Sequence, residues 1–544
     1  MTAQGRKPRA PAARKAASLS LPLALLVACA VFLVCAAWIM PFMPDDSFIS
    51  FRYAEHLASG HGLAFNAGEH PVEAYSNLLW ILVCAALYQL GLNLPQVTPA
   101  AGILLGIASL AVLWDVVRRR APLWTQQLPI LLVFASFGPF VIYAVSGMET
   151  ALFALLLLLV VRLAEDVAGA ARARPLVAFA ACGFLVSLAR PEGVVVFPIA
   201  LGVVAWEMRA RGALAQRSRP LLMAAGAFVL ATVIYHAWRV SYFGEWLPTP
   251  FLSKGAEGHS LLSGWHKNAY RYFLNWAYDS PPQGYAFAAL LALAYAGVRA
   301  ARGAGNVADK VALVLALALC AVYANFVDWM PGMRYHAPLA GVLLIPARHL
   351  PGLLPEEWWK AAAQRRAGRF AALSLVVLLA GATGVAQLRH ATVKMTESAR
   401  ECYLPLADWL RDAVPPGSLL AMGDVGTVPY YTHLRTLDIH PESLTDTYIA
   451  KRSFSADYAL TKRPEVIVLS VRGVYSARMD PLHWELYQNA GFRLEYGFVG
   501  TVRNQWYEDR AYWVFLRNDV RADETQLRAL PEGIGLQRRT RFDP

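Results

Sequence analysis

The sequence predicts a polytopic α-helical membrane protein of about eleven crossings, with interfacial helices and a C-terminal extracytoplasmic α/β domain. Three observations carry that prediction. The 544 residues are 57% hydrophobic and only 16% charged, with a mean hydropathy of +0.38, far to the apolar side of soluble domains. Apolar runs of membrane-spanning length recur as far as residue 388 and then stop. Basic residues collect between those runs, at Arg118–Arg120, Arg172 and Arg174, Arg209 to Arg219, Arg299 and Arg302, and Lys360 to Arg369. The net charge of +12 therefore reads as cytoplasmic loop charge under the positive-inside bias, and nucleic acid is not an expected partner.

Residues 1–17 form a basic tail with Arg6, Lys7, Arg9, Arg14 and Lys15. The first apolar run, 18–40, carries no charge, is too long for a signal-peptide core and meets no convincing cleavage site, so it is a span. Asp45 and Asp46 follow at once. Carboxylates at the water end of a span cost little to solvate, whereas at mid-bilayer they are expensive. In the outer loop 41–93, Ser47–Leu57 is amphipathic at helical spacing, with Phe48, Phe51 and Leu57 on one side and Arg52, Glu55 and His56 largely on others, as in an interfacial helix. Asn77–Leu92 is a short apolar stretch that dips into the outer leaflet without crossing. Spans are then predicted near 97–117, 125–146, 149–165, 175–189, 193–208, 220–240, 283–298, 310–327, 334–348 and 370–388.

With the N-terminus inside and Asn77–Leu92 not crossing, all five basic clusters are cytoplasmic. The outer face then gathers the 41–93 loop, the SGMET turn, ARPEG, the loop from Ser241 to about Gln283, DWMPGMRYH and everything after residue 389. The transmembrane unit is thus 18–388 and the soluble unit 389–544. In the latter, ECYLPLADWLRDAVPPG reads as a helix, GSLLAM as a buried strand before a glycine turn, LRTLD and PEVIVLSV as further strands: a small α/β domain. The segment around Arg510, Tyr512 and Trp513 reads either as a strand with core aromatics or as a surface for stacking on sugars.

Several chemistries are excluded. Cys29, Cys35, Cys84, Cys182 and Cys320 lie in apolar segments, leaving Cys402 alone outside them, so no disulfide framework is expected. His56, His61 and His70 match no zinc-ligand spacing. GDVGTVPYY lacks the dinucleotide fingerprint. The spans hold almost no ionisable residues at mid-depth, where carriers keep their sites, so a site at one membrane face favours an enzyme over a transporter.

DDSFISFRYAEHLASGHGLAFNAGE, VEAYSNLLW, SGMETALFAL, ARPEG, YFGEWLPTPFLSK, DWMPGMRYHAP and GDVGTVPYYT…TLD…LTD occur in that order. Together they resemble the GT-C glycosyltransferases, and within them the group of terminal β-(1→2)-arabinofuranosyltransferases and its relatives, over about 41 to 450. The resemblance implies a multi-pass enzyme of the bacterial inner membrane, a polyprenyl-phosphate sugar donor, a glycan or lipid acceptor outside the cytoplasm, and inversion at the anomeric carbon. It does not fix the sugar, for which arabinofuranose is one candidate.

Elementary chemistry asks for the same parts. An acceptor hydroxyl needs a base to take its proton, and the leaving phosphate needs positive charge as negative charge grows on it. Asp45 and Asp46 are the candidate catalytic residues, with Asp45 as base by the resemblance. Arg190, Lys254, Arg334 and Arg52 are the candidate phosphate ligands, and each has the alternative of anchoring lipid head groups. His61, Glu73, Tyr75, Asn77, Glu149, Trp246, Asp328, Trp329 and His336 complete the expected substrate-binding set. No cofactor is expected, although paired aspartates leave Mg²⁺ or Ca²⁺ open. The rival functions are a flippase or other transporter of lipid-linked sugars and a glycan-binding scaffold.

Overall fold

The computed structural model describes residues 23–169, 173–250, 305–323, 330, 332, 334–353, 368–440, 443–452, 455–472, 478–479, 481–504 and 510–520, with isolated positions at 295, 299, 355 and 357. The expected span 283–298 and most of the 241–283 loop lie outside the described residues.

The uncharged first run forms α1 (Leu23–Ile39), and prolines at 41 and 44 keep the chain from continuing it. Helix α2 (Asp45–Ala58) starts directly on the two aspartates. Their negative charge complements the positive end of the helix, whose first N–H groups lack partners within it. Helix α3 (Leu78–Gln89) has 12 residues, about 18 Å at 1.5 Å per residue, well short of a bilayer. Helix α4 (Leu94–Arg118) opens on a side-chain cap from Asn93 and is long enough to span.

The single span expected at 125–146 is instead two helices, α5 (Trp124–Ala135) and α6 (Gly138–Ala144), bent by 62° at Ser136–Phe137. Gly138 and Pro139 begin the second piece, and a proline biases its predecessor away from helical geometry. Helix α7 (Thr150–Gly169) lies at the centre, packed against α4 and against α8 (Ala173–Ala189), α9 (Val196–Ala210) and α11 (Val307–Tyr323). Arg190, just before Pro191, is extended, so the chain leaves α8 sharply and enters α9 through a 3₁₀ turn. Helix α10 (Leu214–Phe243) ends on Gly244 in the left-handed region. The run expected as a span at 334–348 is a broken series of 3₁₀ turns around α12 (Ala340–Leu344).

Leu222, Met223, Val229, Leu230, Val233 and Ile234 on α10 are exposed, as are Leu375, Val376 and Leu379 on α13 (Gly368–Ser398). Bare leucine and valine of this extent fit lipid, not water. At the bundle end remote from Asp45, charges are matched in pairs: Arg348 on Asp309, Arg162 and Arg118 on Asp115, Lys310 on Glu207.

Helix α13 does not stop at residue 388. It runs through the expected domain boundary, passes a π turn at Ala399–Tyr403 and continues as α14 (Leu404–Ala413), so that Ser374–Ala413 is one 40-residue rod. The strands then alternate with short helices: β1 (Leu419–Met422), α15 (Thr427–Thr432), β2 (Arg435–Asp438), α16 (Thr447–Arg452), α17 (Ala456–Thr461), β3 (Val466–Arg472), β4 (Arg478–Met479), α18 (Pro481–Gln488), α19 (Ala490–Glu495), β5 (Tyr496–Asn504) and β6 (Arg510–Arg517). The sheet order is β2-β1-β3-β6-β5, with β4 beside β3. The β2-β1-β3 half is parallel and the β3-β6-β5 half antiparallel.

Alternate residues serve two cores. Leu420, Met422, Val466, Val468, Tyr512 and Val514 pack toward α14 and α2; Leu419, Ala421, Ile467, Leu469 and Phe515 pack beneath the outer helices. Tyr512 is thus a core aromatic of β6, the first of the two readings offered for that segment. The apolar side of α2 is also not given to lipid. Phe48 and Phe51 lie against Tyr430 and Tyr431 of α15, and Ser47–Ala54 is buried throughout. An amphipathic helix can cover its apolar stripe with membrane or with protein, and here the α/β domain covers it.

Candidate active site

Asp45 and Asp46 sit side by side but face different partners. The Asp45 carboxylate accepts hydrogen bonds from the Gly426 amide at 2.9 Å and the Thr427 amide at 2.6 Å. Both amides belong to the loop that leaves the C-terminal end of β1, flanked on each side by a parallel strand. That is where α/β sheets place their functional loops. Glycine is needed at 426 because a Cβ there would lie 2.0 Å from the Asp45 carbonyl oxygen. Burial and then the charge of Asp424 push the Asp45 carboxyl up to about 6, against the downward pull of the Thr427 hydrogen bonds.

Asp46 is turned to Arg334, whose Nη1 lies 3.2 Å from its Oδ2, and about a third of its side chain is exposed. Arg334 reaches on to Glu149 at 3.6 Å. Arg190 shares Glu149 at 3.5 Å and Glu192 at 3.1 Å. Asn77 donates to the other Glu149 oxygen at 3.0 Å and is itself held by Ser50. Tyr323 donates to Glu192, and its ring stacks on Tyr335, over which the Arg190 guanidinium lies. Four sequence motifs therefore meet in one buried chain of charges: DD, the SGMET turn, ARPEG and the Arg334 segment. Arg190 Nη1 and Arg334 Nε are buried without a hydrogen-bond acceptor among the described residues. A buried guanidinium N–H left unpaired is costly, and an anionic oxygen is its natural complement.

Other expected site residues fall elsewhere. Arg52 donates to the carbonyls of Phe65, Pro429 and Leu434, with Asn66 beside it. Its guanidinium ties the 41–93 loop to the α/β domain, which gives it a structural occupation instead of a free head for phosphate. Glu73 pairs with Arg239 at 2.5 Å, and burial pushes its carboxyl up to about 7 against that arginine. Tyr75 is buried, its hydroxyl without a partner among the described residues. His336 is buried, and His61 is exposed beside His56. Trp246 is 81% exposed, and its carbonyl accepts from Arg239. Lys254, Asp328 and Trp329 lie outside the described residues. Among the described residues no group of three or more His, Cys, Asp or Glu is arranged to hold a metal ion.

Sequence reasoning missed Arg239, Glu192 and Asp424. Glu192 and Asp424 stand inside quoted motifs, ARPEG and GDVGTVPYYT; Arg239 was legible only as a cation at the end of an apolar run. Cys402, expected outside the apolar segments, is fully buried in the π turn, and no disulfide joins any of the six cysteines.

Comparison with known proteins follows the same outline. Residues 387–516 match the model of a domain of unknown function, DUF8728. The terminal β-(1→2)-arabinofuranosyltransferase of Mycobacterium tuberculosis is 28% identical over 255 residues, which is 44% of this chain. The matched stretch is 39% of that protein's length. Among solved structures, ArnT from Cupriavidus metallidurans bound to undecaprenyl phosphate superposes with a TM-score of 0.56 and 18% identity, over 90% of this chain and 97% of that one. The oligosaccharyltransferase of Archaeoglobus fulgidus in complex with Zn and sulfate gives 0.52 and 11%, over 88% and 79%. The chain thus shares its fold with ArnT and the archaeal oligosaccharyltransferase.

Proposed function

From that shared fold, we propose that the chain is a glycosyltransferase that moves a sugar from a polyprenyl-phosphate donor to a glycan or lipid acceptor, at the extracytoplasmic face of a bacterial inner membrane. The observation that carries the reading is the meeting of the paired aspartates with the Arg334–Glu149–Arg190 chain at one end of the helical bundle. It supplies Asp45, a carboxylate of raised proton affinity, next in the chain to Asp46, which faces an arginine pair whose Nε and Nη1 groups have no hydrogen-bond partner among the described residues. The match to ArnT, solved with undecaprenyl phosphate, supports a lipid-linked donor. The sequence match to the terminal arabinofuranosyltransferase supports arabinofuranose as the first sugar to try.

In this reading Asp45 takes the acceptor hydroxyl proton as the new glycosidic bond forms, and the sugar–phosphate C–O bond breaks with its electron pair leaving on phosphate. Attack from the face opposite the phosphate inverts the anomeric carbon. Arg334 and Arg190 hold the phosphate, and Asn77 and Glu149 beside them face the sugar. Lys254 for the phosphate, and Glu73, Tyr75, His61, His336, Trp246, Asp328 and Trp329 for sugar and acceptor, are carried as candidates from the sequence motifs. Arg52 secures the 41–93 loop to the α/β domain. One observation favours a second assignment: Asp46 is the more exposed of the pair and already faces Arg334, so it is the alternative base. The reading takes no resident cofactor, and restoring Mg²⁺ or Ca²⁺ after chelation is the arm of the assay that tests this.

The test is transfer in detergent with polyprenyl-phosphate arabinose, mannose, glucose and galactose, scoring a new glycosidic product and released polyprenyl phosphate. Donor translocation in sealed vesicles without any product would replace the transferase by a flippase. Loss of the base lowers turnover by about two to four orders of magnitude. Asp45→Asn is expected to be the inactive variant with donor binding kept, and near-normal transfer by it alongside an inactive Asp46→Asn would exchange the two roles.

A further inference from the structure

We propose that the α/β domain supplies a working residue to the site: Asp424, held by Tyr512, is a positioning carboxylate that acts through Asp45. The inference rests on the transferase reading for its consequence, and its geometry is independent of it. Asp424 lies two residues before Gly426 and three before Thr427, the two amides that bind Asp45. The Tyr512 hydroxyl donates to Asp424 Oδ2 at 2.5 Å, and Tyr403 meets Tyr512 at 3.0 Å. Tyr512 stands on the central strand β6 and Tyr403 in the π turn, so the carboxylate is fixed from two rigid elements. Gly426, two residues after Asp424, lets the loop press directly on the Asp45 backbone.

The groups around Asp45 and Asp424 can be named element by element. Its own helix offers Asp46, engaged by Arg334. The loop after β1 offers Asp424 and the Gly426 and Thr427 amides; the π turn offers Cys402 and Tyr403; β6 offers Arg510 and Tyr512. Asp424 is the nearby charge that most strongly opposes ionisation of Asp45. Two carboxylates so placed resist carrying charge together. The Tyr512 hydroxyl donates to Asp424 and fixes that carboxylate in place, and Asp45 is left with a raised affinity for a proton. A base of that kind is ionised near neutral pH and still receives the acceptor proton readily.

The experiment is an infrared titration of the full-length protein in nanodiscs, read at the protonated-carboxyl band, with sugar transfer measured on the same samples. The wild type is expected to lose a band near pH 6, and Asp45→Asn to lack that band. Asp424→Asn should move it at least about one unit to lower pH, the scale of a removed neighbouring charge. Asp424→Glu should restore it, and Tyr512→Phe should shift it the same way by less; Tyr512→Phe carries the test if Asp424→Asn does not fold. A band unmoved in Asp424→Asn and Tyr512→Phe, with product still formed, overturns the coupling alone. A band that shifts as expected in a protein that forms no product from any donor keeps the coupling and removes the transferase.

Discussion

Replacing Gly426 by alanine perturbs the site at one atom. The glycine has φ −91°, which alanine adopts freely, so conformational strain is not the issue. Space is. The new Cβ would stand 2.0 Å from the Asp45 carbonyl oxygen and 2.6 Å from its Cγ, where ordinary contact begins at 3.4 Å, so loop and helix must part by 3.4 − 2.0 = 1.4 Å. That separation breaks the 2.9 and 2.6 Å hydrogen bonds to the carboxylate, each worth about 1.5–3 kcal/mol as a bond to a charged group. A misplacement of about 1 Å at a reacting group costs about 100-fold in rate. Overpacking adds a loss of about 1–3 kcal/mol in stability. The expected result is transfer reduced about 100-fold, with a lowered thermal midpoint in a protein that still elutes as one species. Gly423→Ala is the matched control, because its Cβ would meet nothing closer than 3.7 Å. Wild-type turnover in Gly426→Ala, or equal damage in Gly423→Ala, would refute the claim that this loop sets Asp45.

Other expectations are independent of that loop. Activity governed by Asp45 should rise as pH passes about 6. Its folded-state value lies above the ordinary 3.8, so the native protein holds this proton better than the unfolded chain, and stability should fall from pH 3.8 to about 6; Asp45→Asn should abolish both slopes, in kcat/KM profiles and in thermal shift. Arg334→Gln strips Glu149 and Asp46 of a shared partner, and breaking a buried pair from one side costs about 3–5 kcal/mol; donor binding by calorimetry should weaken with it, whereas unchanged binding would remove Arg334 from the phosphate site. Orientation needs engineered thiols, since the native Cys402 is buried. Leu494→Cys, at a position 78% exposed in the α/β domain, should react with an impermeant reagent in intact spheroplasts, and Arg211→Cys at the opposite end of the bundle only after lysis; the reverse pattern would invert the topology.

What the sequence made legible was whatever depends on composition and local period. Apolar runs located α4, α7, α8, α9, α10 and α11, a short apolar run before a glycine turn located β1, and a β-branched run located β3. The short Asn77–Leu92 stretch did fold as a helix too brief to cross. Breaks inside apolar runs were harder, because Ser136–Phe137 and the 3₁₀ turns at 337–353 leave mean hydropathy untouched. Long-range contacts were not legible at all. Nothing local says that Phe48 and Phe51 are covered by Tyr430 and Tyr431, nearly 400 residues on, or that Arg52 is occupied by three carbonyls. At the site, the motifs singled out Asp45, Asp46, Arg190, Glu149 and Arg334. Asp424 was passed over because a single carboxylate in a glycine turn reads as ordinary turn chemistry until a tyrosine and an aspartate from distant segments are found against it.

The 40-residue rod from Ser374 to Ala413 has a mechanical consequence. A soluble domain on a flexible tether would be indifferent to what its last span does; here there is no hinge segment to absorb motion, and the sheet is carried on the end of a helix about 60 Å long at 1.5 Å per residue. A thinner bilayer tilts such a helix's membrane portion further and a thicker one lets it stand straighter, and either change swings the far end through a larger arc than the near end. The clearance between Asp45 and the loop above it is therefore set partly by the lipid, and turnover measured across nanodiscs of graded acyl length should pass through a maximum.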